Sequence, residues 1–402
     1  MGATNGAWLL HTDLRIDVII VQTMRIILIG NYSPDKQQSM ERFATMLATG
    51  FSKEGHYATI WRPVVFFGRL FRSTTTGLGK WMGYIDKWLL FPFILYWRLM
   101  QKKYNTGNIR FHICDHSNSY YLKQLPIDRT VITCHDVLAI RGALGYADAY
   151  VGASKTGRIL QNWILNNLTS AHKLAAVSWT TYQQLCALDT IHPKDHSKNW
   201  MVIYNAFNAD FRPLPQEEAS GFLREAGIDP VVPYLLHVGS GLPRKNRKLL
   251  IDMLLVLGTR WKGNICFAGE PLEKELITYA GTLGLKHRVA SVVNPDHITL
   301  VALYSACAAF VFPSLSEGFG WPVIEAQACG APVIASSLNP LPEVSGGAAL
   351  HADPVRPADF ANAFISLQNK KTRDELIRKG YENAKRFNVS RMTHAYLNLH
   401  LS

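Results

Sequence analysis

The chain has 402 residues, 48% apolar and 18% charged, with a formal net charge of +12. That length sets two domains as the expectation, and the composition excludes a disordered chain. The charge is uneven: residues 24–110 hold thirteen Lys and Arg against four acids, a balance that attracts phosphates, nucleic acid or an anionic leaflet. No RNA- or DNA-binding motif accompanies it, so nucleic acid is not expected as a partner. The six Cys form no C-x-x-C pair and mostly sit inside apolar runs. Buried thiols in a reducing cytoplasm fit this pattern; a disulfide framework or a zinc site does not.

Residues 1–23 carry acids and no clean apolar core before a cleavage site, so no secretory signal is expected there. MRIILIG, from Met24, reads as a first strand, which makes 1–23 an N-terminal extension. SMERFATMLATG (39–50) has helical spacing and a Gly stop, and HYATIW (56–61) reads as the next strand. FHICDH (111–116), TVITCHD (130–136) and KLAAVS (173–178) then repeat one form, apolar first and polar at the carboxyl end. Short, near-continuous apolar strands separated by helices predict a parallel sheet covered on both faces. After MVIYN the chain turns Pro-rich, and 206–232 reads as an interdomain linker.

A second alternation follows. Strands are expected at 234–239, 264–269, 288–293, 308–314 and 332–336, with helices at 246–258, 272–284, 297–306 and 322–329. The fold class expected is therefore α/β, with two Rossmann-like doubly wound domains (24–205 and 233–385) facing a cleft. Ligands bind such sheets at the carboxyl ends of their strands. The tail, 386–402, reads as a helix with Phe387, Met392, Tyr396 and Leu399 on one side, crossing back to the first domain.

The stretch 78–104, LGKWMGYIDKWLLFPFILYWRLMQKKY, stands apart. Its apolar run, Trp88–Trp97, is too short for a bilayer, which needs about 20 residues. Trp81, Trp88 and Trp97 beside Lys80, Lys87, Arg98, Lys102 and Lys103 suit an interfacial helix on an anionic membrane. A core helix with a basic outer edge is the competing reading.

The chemistry concentrates in SLSEGFGWPVIEAQACGAPVIAS, 314–336. Gly318 and Gly320 allow a tight loop and close approach of backbone to a ligand. Pro322 suits a first helical turn. The N–H groups and dipole of that helix end form a site for a diphosphate. Glu317 lies on the loop and Glu325 about one turn into the helix. A carboxylate accepting two hydroxyl hydrogen bonds is a natural clamp for ribose or a sugar.

This string resembles the E-x7-E motif of family 4 of the retaining glycosyltransferases, which share the GT-B fold. The resemblance implies that Glu317 faces the donor sugar and Glu325 binds ribose. It implies that Gly318, Phe319 and Gly320 offer backbone N–H groups. HVGSGLPRKNRKLLIDML (237–254) is similar to the family's strand–loop–helix with a basic pair. Arg244 and Lys245 would then neutralise the leaving diphosphate, with Gly239 and Ser240 beside it. Ser240 stands where many relatives have Arg. Arg247 and Lys248 read as solvated. NAFNADFRP (205–213) and NPLPEVSGGAALHADP (339–354) resemble the family's connector and terminal strand–turn region. ITCHDVLAIR (132–141) resembles its T-x-H-D strand end, placing His135 at the sugar and Asp136 beside it. His116 and Gly30 are further candidates for the acceptor side, and Val293 for a pocket around the base.

The expectation is a retaining hexosyltransferase. It would move sugar from a UDP- or GDP-sugar to a glycan, lipid-linked or small-molecule acceptor, in cell-surface or exopolysaccharide synthesis. The C-terminal domain would hold the donor and the N-terminal domain the acceptor. Location would be cytoplasmic, or peripheral on the inner membrane face. No cofactor and no metal are expected, since nothing resembles a D-x-D pair. Two alternatives stand beside it: a phosphorylase or nucleotide-sugar epimerase of the same fold, and a membrane-associated glycan-binding scaffold with an inactive site.

Overall fold

The computed structural model describes residues 23–71, 73–74, 76–104, 106–190 and 198–402. Of the expected extension, 1–23, all but the last residue lies outside them. The first sheet contains β1 (Arg25–Ile29), β2 (Tyr57–Trp61), β3 (Ile109–Ile113), β4 (Thr130–Cys134), β5 (Lys173–Ala176) and β6 (Asn199–Val202). All pair in parallel, in the order β2-β1-β3-β4-β5-β6. The second contains β7 (Tyr234–Gly239), β8 (Asn264–Gly269), β9 (Val289–Val293), β10 (Ala309–Phe312), β11 (Val333–Ser336) and β12 (Leu350–Ala352). Its order is β12-β11-β10-β7-β8-β9, again all parallel. No central strand has an exposed residue, as helices on both sides require, and all but β3, which carries Arg110 and the buried His112, are mainly apolar.

Strand order decides where ligands go. In a doubly wound sheet the chain leaves to opposite sides at one point, and a crevice opens there. Those points lie between β1 and β3 in the first sheet and between β7 and β10 in the second.

Residues 206–232, expected as linker, contain the helix Gln216–Glu225. Pro213 and Pro215 block helix before it, which gives the stretch its loop-like composition. Ala219 and Leu223 are buried, and the helix packs on His297–Ala306 of the second domain. β6 and the three-residue β12 are too short to stand out as apolar runs.

The final helix, Val389–Leu401, returns to the first domain and packs on the helix Gln38–Lys53. Met392, Tyr396 and Leu399 join Phe43, Leu47 and Phe51 in one core. Polar groups fix its position: the Tyr396 and Thr133 hydroxyls pair at 3.0 Å, and His400 meets His112 at 3.3 Å. A Cβ on Gly50 would overlap the Thr393 hydroxyl and touch the rest of that side chain, so glycine is what lets these two helices approach. Gly→Ala in a helix ordinarily gains up to about 1 kcal/mol. Gly50→Ala is instead expected to lose roughly 1–3 kcal/mol through overpacking. Urea unfolding measures it, and Thr393→Ala should recover part of the loss. A net gain in the single variant would contradict this packing.

Candidate active site

Both halves of the expected donor site converge at the β7/β10 switch point. After β7 a short 3-10 turn, Pro243–Lys245, presents Arg244 and Lys245. After β10 the loop from Pro313 carries Glu317, and Gly320, at a φ of 99°, starts the helix Trp321–Ala328. The Leu315 amide donates to the Arg244 carbonyl at 2.7 Å and Arg244 Nη1 to the Ser316 carbonyl at 3.0 Å, joining the two loops. Glu317 accepts from Lys245 Nζ at 2.6 Å on Oε1 and forms an ion pair with Arg244, whose Nη1 lies 2.8 Å from Oε2. Burial alone would raise this carboxyl, but Lys245 and Arg244 outweigh it and hold it below its ordinary range. Lys245 also sits over the Phe312 ring. The amides of Gly318, Phe319 and Gly320 donate to no acceptor among the described residues, so that side of the loop can receive an anion.

Arg247 is not solvated. It is buried, and its guanidinium donates to the carbonyls of Gly239, Glu270 and Pro271 and faces Glu273. A planar fork with five donors can tie together the ends of β7 and β8, which ammonium cannot. Lys248 is exposed and pairs with Asp252. Gly239 and Ser240 lie at the start of this loop. Val293 is half exposed at the end of β9, on the sheet's outer strand and away from the switch point.

Glu325 is buried one turn into the helix, accepting from the Tyr304 hydroxyl at 3.0 Å. Burial raises its carboxyl to about 7, against smaller lowering influences from Tyr304, Arg42 and Lys245. Arg42 comes from the other domain. It lines a cavity of about 790 Å³ between the helix Gln38–Lys53 and residues 207–210.

The loop also meets the first domain. A Cβ on Gly318 would overlap the His135 carbonyl, with Asp136 beside it. The Gly318 carbonyl accepts from Ser178 Oγ at 2.7 Å and from Thr181 Oγ1 at 3.2 Å. Phe319 fills an interdomain apolar cluster with Val177, Ile324, Val344 and Phe387. Trp321 Nε1 donates to the Ala206 carbonyl at 3.0 Å.

His135 is buried edge-on to Phe43, with Nε2 at 3.0 Å from the Cys114 carbonyl and Nδ1 without a protein partner. Burial lowers its pKa, so it is neutral. Asp136 accepts from the Leu138 amide at 3.0 Å, capping a turn. The Cα of Gly30 faces Ile60 and Arg62. Its missing side chain thus admits those two residues and opens no space to a ligand. His116 is buried 3.2 Å from Asp115. Asp115 itself, with Asn31 and Asn118, forms a buried polar cluster at the β1/β3 switch point. Burial would raise the Asp115 carboxyl, but the neighbouring imidazoles and donated hydrogen bonds hold it low. The sequence reading missed this cluster, although DHSNS (115–119) places its residues at a strand end. It also missed Ser178, whose S-x-x-T spacing marks a helix cap, and His237, buried beneath the β7 loop with Nδ1 at 3.1 Å from the Val311 carbonyl.

The raised Glu325 carboxyl gives a signed prediction. Between the ordinary 4.5 and about 7, the native state keeps a proton that the unfolded chain has released. Wild-type stability therefore falls as pH rises through that window, and Glu325→Gln escapes the loss. Melting across this range should show the variant gaining on wild type by on the order of 3 kcal/mol, then levelling off. A pH-independent difference would contradict the buried position.

Residues 222–384 match the family model described as Glycosyl transferases group 1. The chain is 28% identical to the O-antigen chain mannosyltransferase B of Escherichia coli, over 70% of this chain and 72% of that one. It is 25% identical to the O-antigen chain mannosyltransferase RfbU of Salmonella typhimurium, over 68% and 69%. Identity to the E. coli serotype-specific mannosyltransferase WbdA is 28%, but the match spans only 28% of that protein's length. Among solved structures, sucrose-phosphate synthase from Thermosynechococcus elongatus superposes with a TM-score of 0.70 at 19% identity, covering 94% of this chain and 98% of that one. WaaG, a glycosyltransferase involved in lipopolysaccharide biosynthesis, does so at 0.66 and 15%, covering 93% and 98%. The fold is that of the GT-B glycosyltransferases, and residues 222–384 of the second domain carry the likeness to glycosyl transferases group 1.

Proposed function

We propose that this glycosyltransferase takes a sugar from a nucleotide-sugar held by the second domain. It passes the sugar, with retention of configuration, to a hydroxyl of a glycan or lipid-linked acceptor entering from the first domain. The observation that carries the reading is the switch-point loop, where Arg244, Lys245, Glu317 and three uncommitted amides meet. Breaking a sugar–phosphate bond leaves negative charge on the diphosphate, and preorganised cations and N–H groups are what that demands. Glu325 would accept from the ribose hydroxyls, and His135, neutral and with Nδ1 unpartnered, would contact the sugar. The names of the relatives support surface-polysaccharide assembly and put a mannosyl donor first. A neighbouring structure, Anabaena HepE, was solved with UDP-glucose, which supports a nucleotide-linked donor.

In the step proposed, the bond from the anomeric carbon to the diphosphate breaks. A bond to the acceptor oxygen forms on the same face, and the hydroxyl proton goes to the departing diphosphate. Glu317 serves by charge and position rather than as a nucleophile. Arg244, Lys245 and the helix end carry the counter-charge, so the reading needs no metal.

Two measurements test this. UDP, GDP, ADP and their sugars, mannosyl donors first, are scanned by thermal shift on wild type and Glu325→Ala. One nucleotide, at about 100 times its Kd, should add roughly 2.7 kcal/mol to wild type and clearly less to the variant. NMR of the first product, formed in the presence of EDTA, should show the donor's anomeric configuration. An inverted product, or a folded protein that no nucleotide stabilises, would defeat the proposal.

A further inference from the structure

The stretch 78–104 takes no part in the site, yet the fold holds it in a definite way. Residues 77–100 form one continuous helical rod: Gly77–Ile85, a π-turn Asp86–Leu90, then Phe91–Met100. Its inner side buries Gly79, Gly83, Asp86, Phe91 and Leu95. Asp86 anchors it, accepting from the Tyr32 hydroxyl at 2.6 Å and from the amides of Phe66, Phe67 and Gly68 at 2.9–3.0 Å. That contact ties the rod to the loop after β1 and to the loop holding Phe66 and Leu70.

The outer side is apolar and uncovered. Leu78, Trp81, Leu89, Phe93, Trp97 and Met100 are each more than half exposed. Their spacing follows the helical repeat, and the π-turn, with its wider i→i+5 bonding, brings Leu89 into line with Trp81. Phe66 and Leu70, on the loop that Asp86 holds to the rod, are also more than half exposed. Trp88 does not belong to it. It stacks on Tyr84 and packs against Tyr120 and Trp163 inside the domain.

The exposed charges carried by this stretch have one sign. Arg69, Lys80, Lys102 and Lys103 are exposed, and the single acid between residues 64 and 104, Asp86, is fully buried. Lys87 is taken up by Asp35. A second copy of the chain would bring the same cations to the same place and repel. An anionic bilayer supplies what both features lack, hydrocarbon for the stripe and phosphate for the flanks. No helix among the described residues is long and apolar enough to cross a membrane, so the rod would lie along the surface.

We infer that the helical face Leu78–Met100, with the loop bearing Phe66 and Leu70, embeds in the headgroup layer of an anionic membrane. The face is close to the acceptor side. The inner ring Trp88 touches Tyr120, whose hydroxyl lies 3.4 Å from Asn118 Oδ1, and Asn118 donates to Asn31 in the polar cluster. Seated there, the acceptor crevice would open at the membrane surface.

The test uses the full chain with vesicles of phosphatidylcholine, alone or mixed with phosphatidylglycerol. Co-sedimentation should be at least about tenfold stronger on the mixed vesicles and should weaken at high salt. Brominated phosphatidylglycerol should quench tryptophan emission in the wild type. Leu89→Asp, Phe93→Asp and Trp97→Asp, all at exposed positions, should abolish binding while the melting temperature stays within a few degrees. Equal binding to both vesicles, no quenching, or unchanged binding by the variants would overturn the inference. So would a concentration-dependent dimer that these substitutions dissociate, because a second copy would then cover the face.

Discussion

A buried carboxylate, Glu317, paired with the buried Lys245 and the half-buried Arg244, sets the conditions for everything else at the cleft. Removing Arg244, Lys245 and Glu317 from water is costly, and mutual attraction offsets that cost only when the geometry is held closely. The fold supplies the geometry. One loop leaves β7 and the other leaves β10, neighbours in the sheet whose chains depart to opposite faces. The backbone bond from Leu315 to Arg244 then fixes their separation. Arg247, by binding three carbonyls beneath the loop, stiffens it from below.

The same loop forms the joint between the domains, which links chemistry to motion. Gly318 has its Cα against the His135 carbonyl and its own carbonyl held by Ser178 and Thr181. A change in domain closure must therefore pass through the residue beside Glu317. The return of the last helix to the first domain adds a second tether far from the cleft. A diphosphate arriving at the loop would compete with Glu317 for two cations already positioned, so little reorganisation would accompany the reaction.

Much of this was legible in the sequence because burial leaves a linear trace. Most central strands are apolar runs, and the string from Ser314 to Ser336 carries loop, helix start and both carboxylates in one segment. What was not legible depends on contacts between distant residues. A basic run reads as solvated, yet Arg247 is buried, because nothing local reveals the three carbonyls that await it. The proline-rich connector hid the helix Gln216–Glu225, whose two buried residues make too weak a pattern. Asn31 and Asp115, 84 positions apart, meet only because β1 and β3 are adjacent. In the aromatic stretch, composition named Trp81, Trp88 and Trp97 together; the fold separates the inner Trp88 from the two that face outward.

The central claim is that Arg244 and Lys245 await a diphosphate and that Glu317 neutralises them until it arrives. Isothermal titration of UDP and GDP into wild type, Glu317→Gln and Lys245→Gln tests it, with transfer activity measured alongside. The account predicts that Glu317→Gln keeps or tightens nucleotide affinity, since two cations lose their internal partner, while transfer falls by at least about a hundredfold. Lys245→Gln should weaken affinity. If Glu317→Gln loses affinity as severely as Lys245→Gln, the three charges are a structural unit and not a diphosphate site held in readiness.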